Sequence, residues 1–152
     1  MMIEARFTLD LTPLKSLTPA VVKRVLKVAL SRAGRVPKAA TIGTAGAIKR
    51  FGYLAKAIRI KTVVYPSGSG CVIVGPSSTY TRTKGKYTRG EHKGQPRKFQ
   101  PSKYAHLVER GTKRSKATPF LQPALEQSKN PFVQAITDSM RTEIEKVLAA
   151  RK

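Results

Sequence analysis

Residues 104–127 read Y-A-H-L-V-E-R-G-T-K-R-S-K-A-T-P-F-L-Q-P-A-L-E-Q. The run opens on apolar residues around one acid, Glu109, and turns at Gly111, where a side chain would obstruct the backbone. It then crosses a basic patch and re-enters apolar sequence at Pro119, Phe120, Leu121 and Pro123. Residues 105–110 read as a short helix ended by Gly111. Residues 119–127 read as a second helical unit entered through proline, whose missing N–H the first turn does not need. Tyr104, Val108 and Phe120 are expected to pack beneath a hairpin. Glu109 lies among cations and is expected to pair with Arg110, Lys113, Arg114 or a basic residue of a neighbouring subunit. An exposed pair of that kind contributes only about 0–1 kcal/mol.

Downstream, Asn130-Pro131 reads as the start of a last helix. Phe132, Val133, Ile136, Met140, Ile144, Val147 and Leu148 form its apolar stripe at helical spacing. Upstream, residues 58–65 alternate and residues 66–70, P-S-G-S-G, are a turn cluster. Cys71-Val72-Ile73-Val74 returns as the second strand of a hairpin. Before it, residues 47–56 suggest a short helix in which Gly52 costs about 1 kcal/mol relative to alanine. Thr18-Pro19 is a helix start, followed by a stripe of Val21, Val22, Val25, Leu26, Ala29 and Leu30. Gly34 and Pro37 are expected to end that helix, leaving residues 38–46 as a connector. Residues 3–9 alternate like a half-buried strand. The expectation is one α+β domain over residues 1–152. It comprises a small antiparallel sheet with a central hairpin, packed by an N-terminal helix and a C-terminal amphipathic helix, plus a long basic loop over residues 79–103.

That loop carries much of an extreme charge. Thirty Lys and Arg stand against eight Asp and Glu, a net +22. A chain so basic repels itself and attracts polyanions or acidic surfaces. Arg82, Lys84, Lys86, Arg89, Lys93, Arg97, Lys98 and Lys103 lie in the loop, interleaved with Tyr80, Tyr87, Phe99 and Tyr104. Three readings fit this composition. The loop is a docking arm that orders on a partner subunit, a polyanion arm whose cations meet phosphates while aromatics stack on bases, or plain solvated surface. No apolar run approaches the roughly 18 residues of a membrane span. The N-terminal residues do not resemble a signal peptide, and the single Cys71, expected to be buried in its strand, fits a reducing compartment.

The sequence around Glu109 resembles a signature of tailed-bacteriophage neck and tail-completion proteins, small ring-forming subunits that join a filled head to its tail. The matching pattern is a Tyr with small residues, V-E-x-G-T, a basic or polar spacer, then P-F-L-x-P-A-L. Here it falls on Tyr104, Val108, Glu109, Gly111, Thr112, Pro119, Phe120, Leu121, Pro123 and Ala124. A second match lies at residues 51–61, F-G-Y-L-A-K-A-I-R-I-K, where the family shows T-G-x-L-x-x-S-I. Gly52, Leu54 and Ile58 agree, whereas Phe51 and Ala57 depart from the usual Thr and Ser. The resemblance implies a virion structural protein without enzymatic activity or cofactor, made in the host cytoplasm and located in the neck or tail. It also implies a homo-oligomeric ring that contacts connector or head-closure proteins, tail-terminator or tail-tube proteins, and DNA in its channel.

Catalytic and metal chemistry find no support in the residue pattern. Gly85-Lys86 is followed by Tyr87 rather than completing a phosphate loop. His106 and Glu109 share a helical spacing, but two ligands do not make a zinc site. Cys71 with His92 or His106 is a poor nucleophilic pair, because Cys71 reads as a buried strand residue, and the scattered acids form no two-metal cluster. The alternative reading is a basic RNA-binding protein of ribosomal type, although no recognised RNA-binding motif accompanies the charge.

Overall fold

A computed structural model describes residues 18–48 and 52–150 of the chain. The strand expected over residues 3–9, and Phe51, lie outside the described residues. The described elements are five helices, α1 (Pro19–Ala33), α2 (Arg35–Ala47), α3 (Gly52–Ala57), α4 (Ala105–Arg110) and α5 (Leu121–Ala149), and four strands. β1 (Ile58–Val64) pairs antiparallel with β2 (Gly70–Pro76), and β3 (Arg82–Lys86) with β4 (Pro96–Phe99), as two separate sheets. The mixed helix-and-sheet class expected from the sequence is the class observed.

Alternation places Ile58, Ile60, Thr62 and Val64 on the helix-facing side of β1, with Val72 and Val74 of β2 beside them. Two apolar clusters form against this sheet. In one, Leu26, Ala29, Leu30 and Ala33 of α1 meet Ile136 and Met140 of α5, with Val64 and Val72 at the margin. In the other, Ala45, Leu54, Ile58, Ala105, Val108 and Phe120 close together, with Val74 and Tyr104 against them. Tyr104, Val108 and Phe120 therefore pack with Ile58 and Val74 beneath the hairpin, as expected. The α1–α2 corner sits tightly on the sheet at Gly34, where a Cβ would stand 2.9 Å from Val72 Cγ1.

Several boundaries differ from the sequence reading. Residues 38–46 are helical within α2, not a connector. Pro37 is its third residue, where the first turn tolerates a missing N–H. The small residues after it let α2 pack against α5. α1 does end at Ala33, so Gly34 separates the two helices while Pro37 belongs to the second. The short helix expected over residues 47–56 begins only at Gly52, because Ala47 closes α2. The units expected to divide near Asn130 are one 29-residue helix with Pro131 inside it. Packing on both sides of Pro131, at Leu121 in one cluster and Phe132 in the other, holds the helix through the break.

The loop over residues 79–103 is not structureless. It rises as the β3–β4 ribbon and returns through a single 3₁₀ turn, Pro101–Lys103. Cys71 is half-buried rather than buried, with its Sγ 3.8 Å from the Tyr65 hydroxyl. Among the described residues, no helix is long and apolar enough to cross a membrane.

Candidate interaction surface, a cationic ribbon on a tyrosine root

The signature residues around Glu109 form a keystone rather than a surface site. The backbone N–H groups of Phe120 and Leu121 donate to Glu109 Oε2 at 2.9 and 3.1 Å, and that of Gln122 donates to Oε1 at 3.3 Å. These are the otherwise unpaired donors at the start of α5, where a negative charge also complements the helix dipole. The expected ion pair with Arg110, Lys113 or Arg114 is replaced by this backbone cap. Phe120 is held from its other side by the Thr44 hydroxyl of α2, which donates to the Phe120 carbonyl at 2.7 Å. The intervening turn closes through Thr118 N–H to the Val108 carbonyl, 2.9 Å. Thr112 Oγ1 accepts from the N–H groups of Arg114 and Ser115. Gly111 adopts φ 77°, and a Cβ there would lie 2.7 Å from Ala117 N.

The other motif positions behave similarly. Leu54, Ile58, Val108, Phe120 and Ala124 are buried, while Leu121 and Pro123 are half-buried. Pro119 is exposed, and Gly52 is exposed with nothing near its would-be Cβ, so no close approach requires a glycine there. The motif thus secures the entry of α5 and the second apolar cluster.

The ribbon contrasts with all of this. Every residue from 81 to 98 is exposed and only Phe99, at the root end of β4, is half-buried, so among the described residues β3 and β4 lie on no other element above that root. Arg82 pairs with Phe99, Thr83 with Lys98 and Lys86 with Pro96, with a register slip between Thr83 and Lys86 beside the positive-φ Gly85. Paired residues share a face, and successive residues alternate, so Arg82 and Lys98 point to opposite faces and both faces are cationic. The tip is closed by Tyr87 N–H to the Gln95 carbonyl at 3.0 Å and Gly94 N–H to the Tyr87 carbonyl at 2.9 Å. The Tyr87 and His92 rings lie 5.9 Å apart there. Lys103 lies off the ribbon, in the 3₁₀ turn.

The root is where the ribbon meets the body. Arg82 lays its guanidinium over the Tyr53 ring at 4.9 Å, and Arg59 lies over the Tyr80 ring at 5.9 Å. The Gln100 side-chain amide donates to the Ser78 carbonyl. Burial, reinforced by Tyr80 and Tyr53 nearby, pushes the Tyr104 phenol above its ordinary value. Tyr80 and Tyr104, which the sequence grouped with the loop, therefore belong to the base, leaving Tyr87 and Phe99 on the ribbon. Tyr53 and Arg59 were not singled out from sequence. They lie more than twenty residues from their ribbon partners or on another element, so no local spacing signals the contact.

His106 is exposed on α4, and Glu109 beside it is committed to backbone N–H groups. No group of three metal-ligating side chains occurs among the described residues. Comparison with models of protein families, with characterised proteins and with solved structures gave no match.

Proposed function

We propose that this chain is a structural subunit of a tailed-phage neck, assembling as a ring that joins the DNA-filled head to the tail, and not an enzyme. The observation that carries the reading is the β3–β4 ribbon, an ordered element that, among the described residues, touches the body only at its root. An isolated two-stranded hairpin is at best marginal in water, so its partner is external. The β1–β2 sheet supports the same reading. Among the described residues each of its strands is paired on one side only, which offers edges to a neighbouring subunit. Ile73 and Tyr65 are also exposed on these strands or at their turn.

The resemblance of the Glu109 and Gly52 segments to neck and tail-completion proteins supplies the particular assembly. In it, the keystone at Glu109 holds the helical body rigid while the sheet edges meet neighbouring copies and the ribbon reaches away from the body. The partners are other copies of this chain, the connector or head-closure protein, and the tail-terminator or tail-tube protein. The location is the virion neck.

The test is negative-stain microscopy of the purified chain, alone and with the connector and tail proteins of the same phage. Rings are the expected outcome with the partners present, or for the bare chain at 0.5 M salt. Monomers throughout, with normal infectious particles made when the chain is omitted, would overturn the reading.

A further inference from the structure

We infer that the β3–β4 ribbon is a duplex-DNA arm that grips backbone phosphates without reading sequence. The inference goes beyond the ring reading, because it concerns the single subunit and needs no assembly.

Charge accounting over the described residues argues against a second copy as the ribbon's main partner. From Arg82 to Phe99 there are seven cations and one acid, Glu91. The acids elsewhere among the described residues are nearly all engaged. Glu109 caps α5, Glu126 accepts from Gln122, Glu143 binds Arg32 and Lys146, and Glu145 pairs with Arg141. Of these described acids only Asp138 is left to meet a neighbour's ribbon, and each new copy brings another large positive charge. The ribbon's complement is an external polyanion.

Composition favours nucleic acid over an acidic protein. No aliphatic side chain occurs between Arg82 and Phe99, whereas protein interfaces are built around a desolvated apolar core. Phosphate contacts need no such core; they need cations, and counterion release drives them. Shape points the same way. A two-stranded ribbon fits the major groove of B-form DNA but not the deep, narrow major groove of an RNA helix. Cations on both ribbon faces would meet the phosphate walls on either side of that groove. The root fixes the approach angle, since Arg82 is held over Tyr53 and Gln100 is tied to Ser78.

The experiment measures fluorescence anisotropy of a 30-base-pair duplex of arbitrary sequence against monomeric chain from 50 to 300 mM salt. One variant removes four ribbon charges, with Lys84, Lys86, Arg89 and Lys93 changed to Gln. A matched control removes four exposed body charges, with Lys23, Arg24, Lys27 and Arg35 changed to Gln. The ribbon variant is expected to lower the log–log salt slope by about three to four, near 0.9 per lost phosphate contact. The body variant is expected to leave most of that slope in place. Equal losses in the two variants would reduce the effect to net charge and overturn the proposal, as would an unchanged ribbon variant. Ribbon-dependent binding to a polyglutamate peptide or to single-stranded RNA, with none to the duplex, would overturn it in favour of those partners. Circular dichroism of both variants confirms the fold, and failure to form rings leaves this measurement unaffected.

Discussion

Glu109 shows how one side chain sets the course of the longest element. Its carboxylate satisfies three consecutive N–H donors at the start of α5, those of buried Phe120, half-buried Leu121 and exposed Gln122. Hydrogen bonds to a charged group are stronger than neutral ones, and losing the acceptor strands the donors. Glu109→Ala is expected to cost about 2–3 kcal/mol, with Glu109→Gln retaining part of the loss, as read by guanidinium titration at neutral pH. A variant as stable as the parent would mean that water replaces the carboxylate freely. Glu143 does a different job between α1 and α5. A hydrogen bond from Lys146, and then the Arg32 guanidinium, hold its carboxyl below the usual range against an opposing effect of burial. A depressed folded pKa favours the fold above the unfolded carboxylate value and loses that contribution as pH falls through the folded value. Glu143→Gln is therefore expected to flatten the acid limb of thermal stability below about pH 4.5, near the ordinary glutamate range. An acid limb identical to the parent's would remove Glu143 from that account.

At the scale of elements, α5 carries the sharpest contrast. Ile136 lies in the α1–α5 cluster at 3% exposure, so Ile136→Ala is expected to cost about 2–5 kcal/mol. Pro131 is exposed and mid-helix. There it removes a donor to the carbonyl four residues back, so Pro131→Ala is expected to raise stability by about 1–3 kcal/mol. Chemical denaturation of the two variants checks both signs; a destabilised Pro131→Ala would mean that the proline shapes how α5 spans the two clusters. The same helix shows what sequence can and cannot reveal. The stripe from Phe132 onward is local periodicity and was legible. Asn130-Pro131 reads identically as a helix start or as a tolerated interruption, and only packing on both sides decides. In α2, Pro37, Gly43 and Gly46 look like breakers, yet Pro37 falls in the first turn and the two glycines are exposed with open space around them, while Thr41 and Ala45 supply the buried face. The hairpin of β1 and β2 was legible because apolar and polar residues alternate about a glycine-rich turn. The ribbon was not, because its alternation sets cations against Thr and Gly and leaves no apolar face. Glu109 as a cap was hidden for a related reason, since its partners lie eleven to thirteen residues away across a turn.

For the whole molecule, charge governs assembly. A subunit carrying +22 repels its copies over about 10 Å at 0.1 M salt, and the repulsion shortens to roughly 3 Å at 1 M. Among the described residues nearly every acid that might relieve it is engaged within its own chain, so the contacts proposed for a ring work against a field that ions or a polyanion cancel. Apolar contacts through Ile73 or the open sheet edges would strengthen little with salt, whereas the repulsion collapses. The bare chain is accordingly expected to sediment as a monomer at 50 mM salt and to shift to larger species at 0.5 M salt. At low salt, short duplex DNA is expected to produce the same shift at near-neutral charge ratio. Analytical ultracentrifugation distinguishes the cases. A sedimentation coefficient that is constant across salt, and constant on adding DNA, would show that electrostatic repulsion is not what holds the subunits apart. A low-salt assembly that dissolves on adding salt would show that subunits attract through ion pairs, and would require the acids of α5 to exchange their intramolecular partners for a neighbour's cations.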